Sequence, residues 1–529
     1  MSDWQKAFAV EELVSGQAKL FRYSPRQIAV FRVKEKLFAI DNRCPHEGYP
    51  LVDGQVDSDG CLLTCVWHNW KFKLDDGECV LGGDHVRSYD VKEEDGHVWV
   101  DVADSPEQVA RVIEGLQQAF GDRDFGRICR EISRLHFMGQ QPDDAVREAV
   151  RWSYDKLEFG TTHAYAAMAD WLRRYHEYEG DWERQLICLS ETVDHTAFDV
   201  LRQREFAYHE ANGHPEFCDK KLLEAVEQER RADAEGLIQL GLQQGKKWHD
   251  WEVTLATAAL SHFNDFGHSA IYIVKMGQLI EALGEELHGP VALALIRSLC
   301  YTTREDLLPA FSTHQETMEV VQASGFGDSS EDLVDPFPCT VAKGHDWLIE
   351  AAKTHRPETI YWALEQAICK SLLHYDTKYE TTFSRPVTDN VTWLFFTHGI
   401  TFSNAVRILC ERYPQLWPQG LSQMVCMLGR NHRFLDLEQD IDRWIVADEP
   451  SFWEEVKGIE LDHGFRDPIF SAHIVKTAVA IEEESALAPS ECKQWLLAAL
   501  NCFLHSPIKQ KHTRRLARQA IDLVQRDYS

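Results

Sequence analysis

A chain of 529 residues exceeds what one hydrophobic core organises, since single cores stop growing near ~250–300 residues, so at least two domains are expected. Its 44% hydrophobic and 26% charged residues, with no low-complexity stretch, are those of an ordinary packed protein rather than a disordered one. The 55 Lys and Arg against 85 Asp and Glu leave a formal charge of -30, a field that repels phosphate backbones and anionic lipid surfaces and argues against nucleic acid as a partner.

Residues 1–17 mix Asp3, Lys6, Glu11 and Glu12 among apolar residues. They lack the basic start and apolar core of a signal segment, and no window of about 20 apolar residues follows. No membrane partner is expected, and a cytoplasmic location is. Of the 14 cysteines, those from Cys129 to Cys502 lie singly in helical patterns, where Cys acts as a small buried hydrophobe, so reduced thiols are expected. Cys44, Cys61, Cys65 and Cys79 are instead clustered near the start.

Over 19–102 short apolar or alternating runs stand between Gly and Asp turns, among them Gln27-Ile-Ala-Val-Phe-Arg-Val, Leu37-Phe-Ala-Ile, Cys61-Leu-Leu-Thr-Cys, Lys71-Phe-Lys-Leu and His97-Val-Trp-Val-Asp-Val. This predicts a small all-β domain over 1–104. Asp53-Gly54, Asp59-Gly60, Asp76-Gly77 and Asp95-Gly96 are expected to supply the positive-φ positions of its hairpins.

Within this domain Cys44-Pro-His46-Glu-Gly and Cys65-Val-Trp-His68 form two mixed pairs. Two thiolates on one iron and two neutral imidazoles on the other raise the potential of a [2Fe–2S] cluster to roughly −150 to +300 mV, and each loop here offers one ligand of each kind. Structural zinc uses the same residue types, but zinc fingers pair CxxC with HxxxH around a helix, whereas these mixed pairs fall on two hairpin tips. Residues 3–104 resemble the Rieske ferredoxin family: Cys44-Pro-His46-Glu-Gly48 followed by Leu51 and Gly54, then Cys65-Val-Trp-His68 followed by Phe72, Asp76-Gly77 and Cys79. The resemblance implies a [2Fe–2S] cluster held by Cys44, His46, Cys65 and His68, with Cys61 and Cys79 outside the ligand positions as core or turn residues. Two departures, Val66 where the family commonly has Pro and Asn69 where it commonly has Gly, bear on hydrogen bonding around the cluster and remove no ligand.

After Asp104 apolar residues recur at three- and four-residue spacing, with Ser105 as N-cap and Pro106 as the first helical residue. A large all-α domain is predicted over 105–529, with helices over 107–120, 162–175, 252–263, 269–283, 357–374 and 472–484. The acidic stretch 325–335 and Pro336-Phe-Pro mark a loop between two helical halves divided near 325–340.

A Rieske cluster moves one electron at a time, so a large fused domain points to a second redox centre. The usual Asp-xx-His-xxxx-His iron site of Rieske oxygenases does not fit: His209 and His214 have the spacing, but Phe206 stands where the carboxylate belongs. Four segments instead place a His near a predicted helix start beside small residues: Gly160-Thr-Thr-His163-Ala, Phe266-Gly-His268-Ser-Ala, Phe396-Thr-His398-Gly and Phe470-Ser-Ala-His473. A single helical His is ordinarily a core or surface residue; the recurrence of one context singles these out. Small neighbours let helices approach, and imidazoles from separate helices can then converge on one metal in a bundle core, iron being a suitable partner. Lys476 follows His473 on the same helix face. It can ligate only when deprotonated or carboxylated by carbon dioxide, and otherwise is a nearby charge.

At these residues the helical region resembles the questin oxidase-like family, oxygenases acting on polycyclic aromatics such as anthraquinones. The resemblance rests on Phe266-Gly-His268, Thr397-His398-Gly-Ile-Thr-Phe-Ser-Asn-Ala-Val-Arg-Ile-Leu and His473-Ile-Val-Lys476, and spans about residues 150–485. A fused Rieske domain departs from that family. Glu285-Glu-Leu-His288 and Glu460-Leu-Asp-His463 have the ExxH spacing of di-iron bundles, but both abut Gly and read as loop ends. His262-xx-Asp265-xx-His268 offers a two-His, one-carboxylate face, although Asp265 equally suits an N-cap. No GxGxxG opens a helix after a strand, so a separate ferredoxin or flavin reductase is implied as electron donor.

The expected function is oxidoreduction. An external reductase feeds the [2Fe–2S] cluster, which passes electrons within or between subunits of a homo-oligomer to a mononuclear Fe(2+). Dioxygen is used there to oxidise a small apolar or aromatic, and on the resemblance polycyclic, substrate. His163, His268, His398 and His473, with Lys476, are the candidate metal ligands. The alternative is an electron-transfer protein whose helical domain is a docking or oligomerisation scaffold and whose acidic surface steers it to a basic partner.

Overall fold

A computed structural model describes residues 2–57, 62–210 and 216–527. It divides into two compact units, Met1–Ala145 and Val146–Ser529. The first is built on three antiparallel sheets. In one, His97–Asp101 lies between Trp4–Ala9 and Val91–Glu94; in the second, the order is Ala18–Tyr23, Arg26–Val33, Lys36–Asp41 and Ser88–Tyr89; in the third it is Gln55–Val56, Leu62–Thr64, Lys71–Lys73 and Cys79–Leu81. The central strand Arg26–Val33 is apolar on both sides. Ile28 and Val30 join a core with Val98 and Val100, while Ala29 and Phe31 turn to a second core with Leu51, Leu63 and Phe72. Period-two alternation thus serves both faces at once.

The predicted turns hold with one correction. Gly77 and Gly96 take positive φ as expected, but Gly54 sits at φ -70 after the short turn Leu51–Asp53. Glycine is needed there for closeness instead, since a Cβ would stand 2.6 Å from Leu63 Cδ1. Asp59-Gly60 and Cys61 lie outside the described residues.

Ser105 caps the helix Pro106–Asp122 in a reciprocal box with Gln108, and Pro106 is its first residue, as read. The compact division nevertheless falls after Ala145 and not after Asp104. This helix and the next, Phe125–Phe137, belong with the sheets because Asp84, 1% exposed, accepts from Arg130 and Arg134 of the second helix at 2.8 and 3.2 Å, and Arg111 donates to the Asp76 carbonyl at 2.7 Å.

Among its described residues the second unit has helices as its named elements and no strand longer than an isolated bridge. The helices His163–Glu177, His268–Leu283, Trp393–Arg412 and Pro468–Leu487 pack each on the next and close a ring. Ala167 on the first and Ala472 on the fourth share one buried cluster, while Gly399 on the third makes room for Ile368 and Met427 of helices outside the ring. The segment 325–340 does not divide this unit, because the ring joins two helices that precede it to two that follow. Among the described residues no helix is long and apolar enough to cross a membrane.

Candidate functional site

In the first unit two loops, one between Lys36–Asp41 of the second sheet and Gln55–Val56 of the third and one between Leu62–Thr64 and Lys71–Lys73 of the third, are closed alike. The Cys44 amide donates to the Tyr49 carbonyl (2.9 Å) and the Gly48 amide returns to Cys44 (2.7 Å); the Cys65 amide donates to Trp70 (2.8 Å) and the Asn69 amide returns to Cys65 (3.0 Å). Gly48 at φ +74 and Asn69 at φ +62 occupy equivalent left-handed positions. Asn is among the few non-glycine residues that tolerate this region, which is how the loop absorbs the replacement of Gly. Val66 is half exposed and leaves the closure untouched.

The loops bring all four predicted side chains together. Cys44 and Cys65 are buried side by side, and burial pushes the Cys44 thiol up to about 11. His46 Nδ1 and His68 Nδ1 face each other at 3.0 Å at the surface. Trp70 stacks on His46, and Trp67 stacks on Tyr49 while donating to Glu47. Two inward sulfurs and two outward nitrogens fit a diiron cluster with its imidazole-bound iron at the solvent edge. Cys79 lies apart, on a strand packed against the core.

In the second unit the four predicted helical histidines meet. His268 Nε2 is 3.0 Å from His163 Nε2, and His473 Nε2 is 2.9 Å from His398 Nε2. Ring centroids of His163 lie 5.8 Å from His398 and 4.9 Å from His473, and those of His268 and His398 lie 4.4 Å apart. Nδ1 of His268 faces the Asp265 carbonyl at 2.5 Å and Nδ1 of His473 faces that of Ile469 at 2.6 Å. A carbonyl only accepts, so both rings carry their proton on Nδ1 and present Nε2 as a lone pair. Burial, and after it neighbouring positive charge, holds His163, His398 and His473 well below the usual imidazole range, so the rings are neutral and able to ligate.

His163 and His268 open their helices as read, whereas His398 and His473 lie a turn inside theirs. His268 is delivered by a strained turn: Asp265, Phe266 and Gly267 have φ of +42, +54 and +81. A Cβ on Gly267 would lie 2.4 Å from Phe402, and Arg430 sits 3.5 Å over the Phe266 ring. Gly267, not Asp265, is the N-cap.

Lys476 is fully buried, and its Nζ has no hydrogen-bond partner among the described residues; burial pushes it down to about 8. Near it Lys275 and Asp170, both buried, pair at 2.7 Å, and the second Asp170 oxygen is unpartnered. Sequence reasoning missed this pair. Its signal was spacing, since Asp170 follows His163 by two helical turns and Lys275 follows His268 likewise.

The poorer constellations separate. His262 turns from His268 to Glu227 and Asp306, at 2.5 and 3.0 Å. His209 pairs with Glu235, Glu460 with Arg174, and His463 with Glu191, while His288 packs on Trp251. His214 lies outside the described residues.

Antiparallel sheets offering two Cys/His loops define an iron–sulfur electron carrier. The Rieske [2Fe-2S] domain family matches residues 3–93. The 3-phenylpropionate/cinnamic acid dioxygenase ferredoxin subunit of Photorhabdus laumondii is 32% identical over 97 residues, 18% of this chain and 90% of that protein. The 4beta-methylsterol monooxygenase of Methylococcus capsulatus is 34% identical over 96 residues, 16% of this chain and 26% of its own. A solved ferredoxin of carbazole 1,9a-dioxygenase from Nocardioides aromaticivorans is 22% identical, with a TM-score of 0.18, over 19% of this chain and 98% of its own. The chain belongs to the Rieske [2Fe-2S] domain family through its first unit, which implies a [2Fe–2S] cluster. Its relatives there are electron-transfer ferredoxins and oxygenase components.

Two outcomes follow. Asn69→Gly leaves the loop closed, while Asn69→Val costs about 1–2 kcal/mol at a left-handed residue and lowers the temperature at which the visible cluster absorption is lost. For His262, hydrogen bonds to Asp306 and Glu227 raise the imidazole above its ordinary value against the cost of burial. A raised histidine contributes stability that is full below the unfolded value of about 6.5 and lost as pH rises through the folded one. Replacing His262 by Leu therefore lowers the melting temperature more at about pH 5.5 than at about pH 8.5, and leaves iron content unchanged.

Proposed function

We propose that the chain is a Rieske-dependent non-haem iron oxygenase. Cys44, His46, Cys65 and His68 hold the [2Fe–2S] cluster, and His163, His268, His398 and His473, with Lys476 beside them, hold a mononuclear Fe(2+). The observation that carries this reading is that one ligand atom each of His163, His268 and His398 lies within 4.8 Å of the others, with His473 Nε2 reaching His398 Nε2 at 2.9 Å, and that carbonyls behind His268 and His473 accept from Nδ1–H and leave Nε2 free. When bound, the two centres supply single electrons from an external ferredoxin or flavin reductase and a site where dioxygen oxidises a small apolar or aromatic substrate. The relatives' names support that class: a ferredoxin subunit of an aromatic-acid dioxygenase and a sterol monooxygenase. The cluster task falls to the sheets within 1–104 and the oxygenase task to the helical ring within 105–529, and electrons cross within or between subunits.

The chain's own residues prepare the site. The carbonyls of Asp265 and Ile469 fix ring orientation and tautomer, as partners behind ligating histidines generally do. Exposure falls from the half-buried His163 through His268 and His398, each 7% exposed, to His473 and Lys476 at 1% and 0%. Substrate and dioxygen accordingly approach from the His163 side, and water is excluded from the Lys476 side. Lys476, brought near neutrality by burial, either ligates as the amine or its carbon dioxide adduct, or holds a proton beside the ligands.

Metal analysis tests the reading. Anaerobically purified protein contains about three irons per chain, two of them acid-labile with sulfide, and His163→Ala or His398→Ala lowers this to about two with the Rieske electron paramagnetic resonance signal intact. Two irons and no other metal in the wild-type protein would reduce the helical unit to a docking scaffold. Lys476→Met keeps the volume and removes the amine; it lowers retention of the third iron without altering the cluster signal. If retention also falls in wild-type protein depleted of bicarbonate, the carbon dioxide adduct is the ligand.

A further inference from the structure

A second group of ligating side chains lies in the helical unit, apart from the four histidines. His314 opens the helix His314–Ser324, His345 lies in Val341–Ala352, and Cys426 lies in Trp417–Asn431. All three are buried, and one ligand atom from each falls within 4.8 Å of the others. Ser422, fully buried one turn before Cys426, stands between the two imidazoles: its Oγ is 2.8 Å from His314 Nδ1 and 3.1 Å from His345 Nε2. Cys426 Sγ is 3.8 Å from His345 Nε2. His314 Nε2 is buried without a hydrogen-bond partner among the described residues.

We infer that His314, His345, Cys426 and Ser422 form a zinc site that clasps three helices across the segment 325–340. The spacing fits. Tetrahedral zinc with Zn–S of about 2.3 Å and Zn–N of about 2.05 Å sets sulfur and nitrogen about 3.6 Å apart, close to the Cys426–His345 separation. Thr313 Oγ1 lies 2.6 Å from His345 Nδ1; the hydroxyl can accept from Nδ1–H, and in that tautomer Nε2 is left for the metal, the usual arrangement behind a ligating histidine. The competing arrangement has His345 Nε2 donating to the Ser422 carbonyl, also at 3.1 Å, as part of a metal-free core network.

On binding, the Cys426 S–H bond breaks, the proton leaves to solvent, and the sulfur's electron pair forms the Zn–S bond. The complex keeps one net positive charge, and the Asp306 carboxylate, whose field reaches both His314 and Cys426, opposes it. Three soft or borderline donors favour zinc over the hard divalent cations.

The test uses the full-length protein dialysed against Zn2+ and then against metal-free buffer. Zinc is expected at about one atom per chain, with a zinc-edge absorption spectrum of one sulfur and three lighter neighbours. Cys426→Ser lowers zinc at least fivefold and leaves iron content and the Rieske signal unchanged. Zinc below about a tenth of an atom per chain overturns the proposal. So does a zinc shell without sulfur, which would point to the four-histidine site, and so does one with two sulfurs, which would point to Cys44 and Cys65. The wild-type spectrum decides even where the variant fails to fold. Because zinc and iron are read separately, this result stands apart from that of the oxygenase reading.

Discussion

Lone pairs crowded into a dry space govern the helical unit. His268 and His473 have each given their single proton to a backbone carbonyl, so the Nε2 atoms that meet His163 and His398 at 3.0 and 2.9 Å are acceptors. At each contact the opposing ring, protonated on Nε2, can donate so that both nitrogens are satisfied; with all four rings protonated on Nδ1 instead, four lone pairs would be free for the cation of the proposed reading.

The β domain meets an analogous demand by a different route. Its ligands come from two short loops rather than from helix faces, and the loops are closed by the same pair of backbone hydrogen bonds, each ending on a left-handed residue. This symmetry places sulfur inward and imidazole outward twice over. Burial makes the Cys44 thiol resist ionisation, while the outward Nδ1 atoms face each other close enough to share one centre.

Much of this was legible in the sequence where chemistry and spacing coincide. The Cys/His pairs identified the cluster loops, the N-cap Ser105 with Pro106 located the change from sheet to helix, and the repeated His-plus-small-residue context selected four histidines that the fold brings near one another. What escaped was decided by packing. The first two helices join the sheets because of the arginines around Asp84, which no local pattern announces. Gly54 is fixed by the nearness of Leu63 and not by its own φ. Asp170 and Lys275 read as ordinary helix charges, since only the closed ring of helices turns their faces inward. His314, His345 and Cys426 come from three helices with no common motif, so nothing but the tertiary fold relates them.

The inward charges also explain why the four-histidine layer cannot be treated alone. Asp170 and Lys275 pair at 2.7 Å in the bundle interior, and Lys476 contributes a third ionisable group with no partner. A buried pair is weak evidence for stability, because apolar residues of similar volume often serve as well or better. Standing two turns from two of the histidines, the pair instead sets the electrostatics around Lys476. Asp170 draws Lys476 towards the charged state while Lys275 and burial oppose it. The balance leaves the amine near the neutral range, where it can take up or release a proton, or accept carbon dioxide, without moving from its position on the His473 face. A bundle that needed only to be stable would place leucines there.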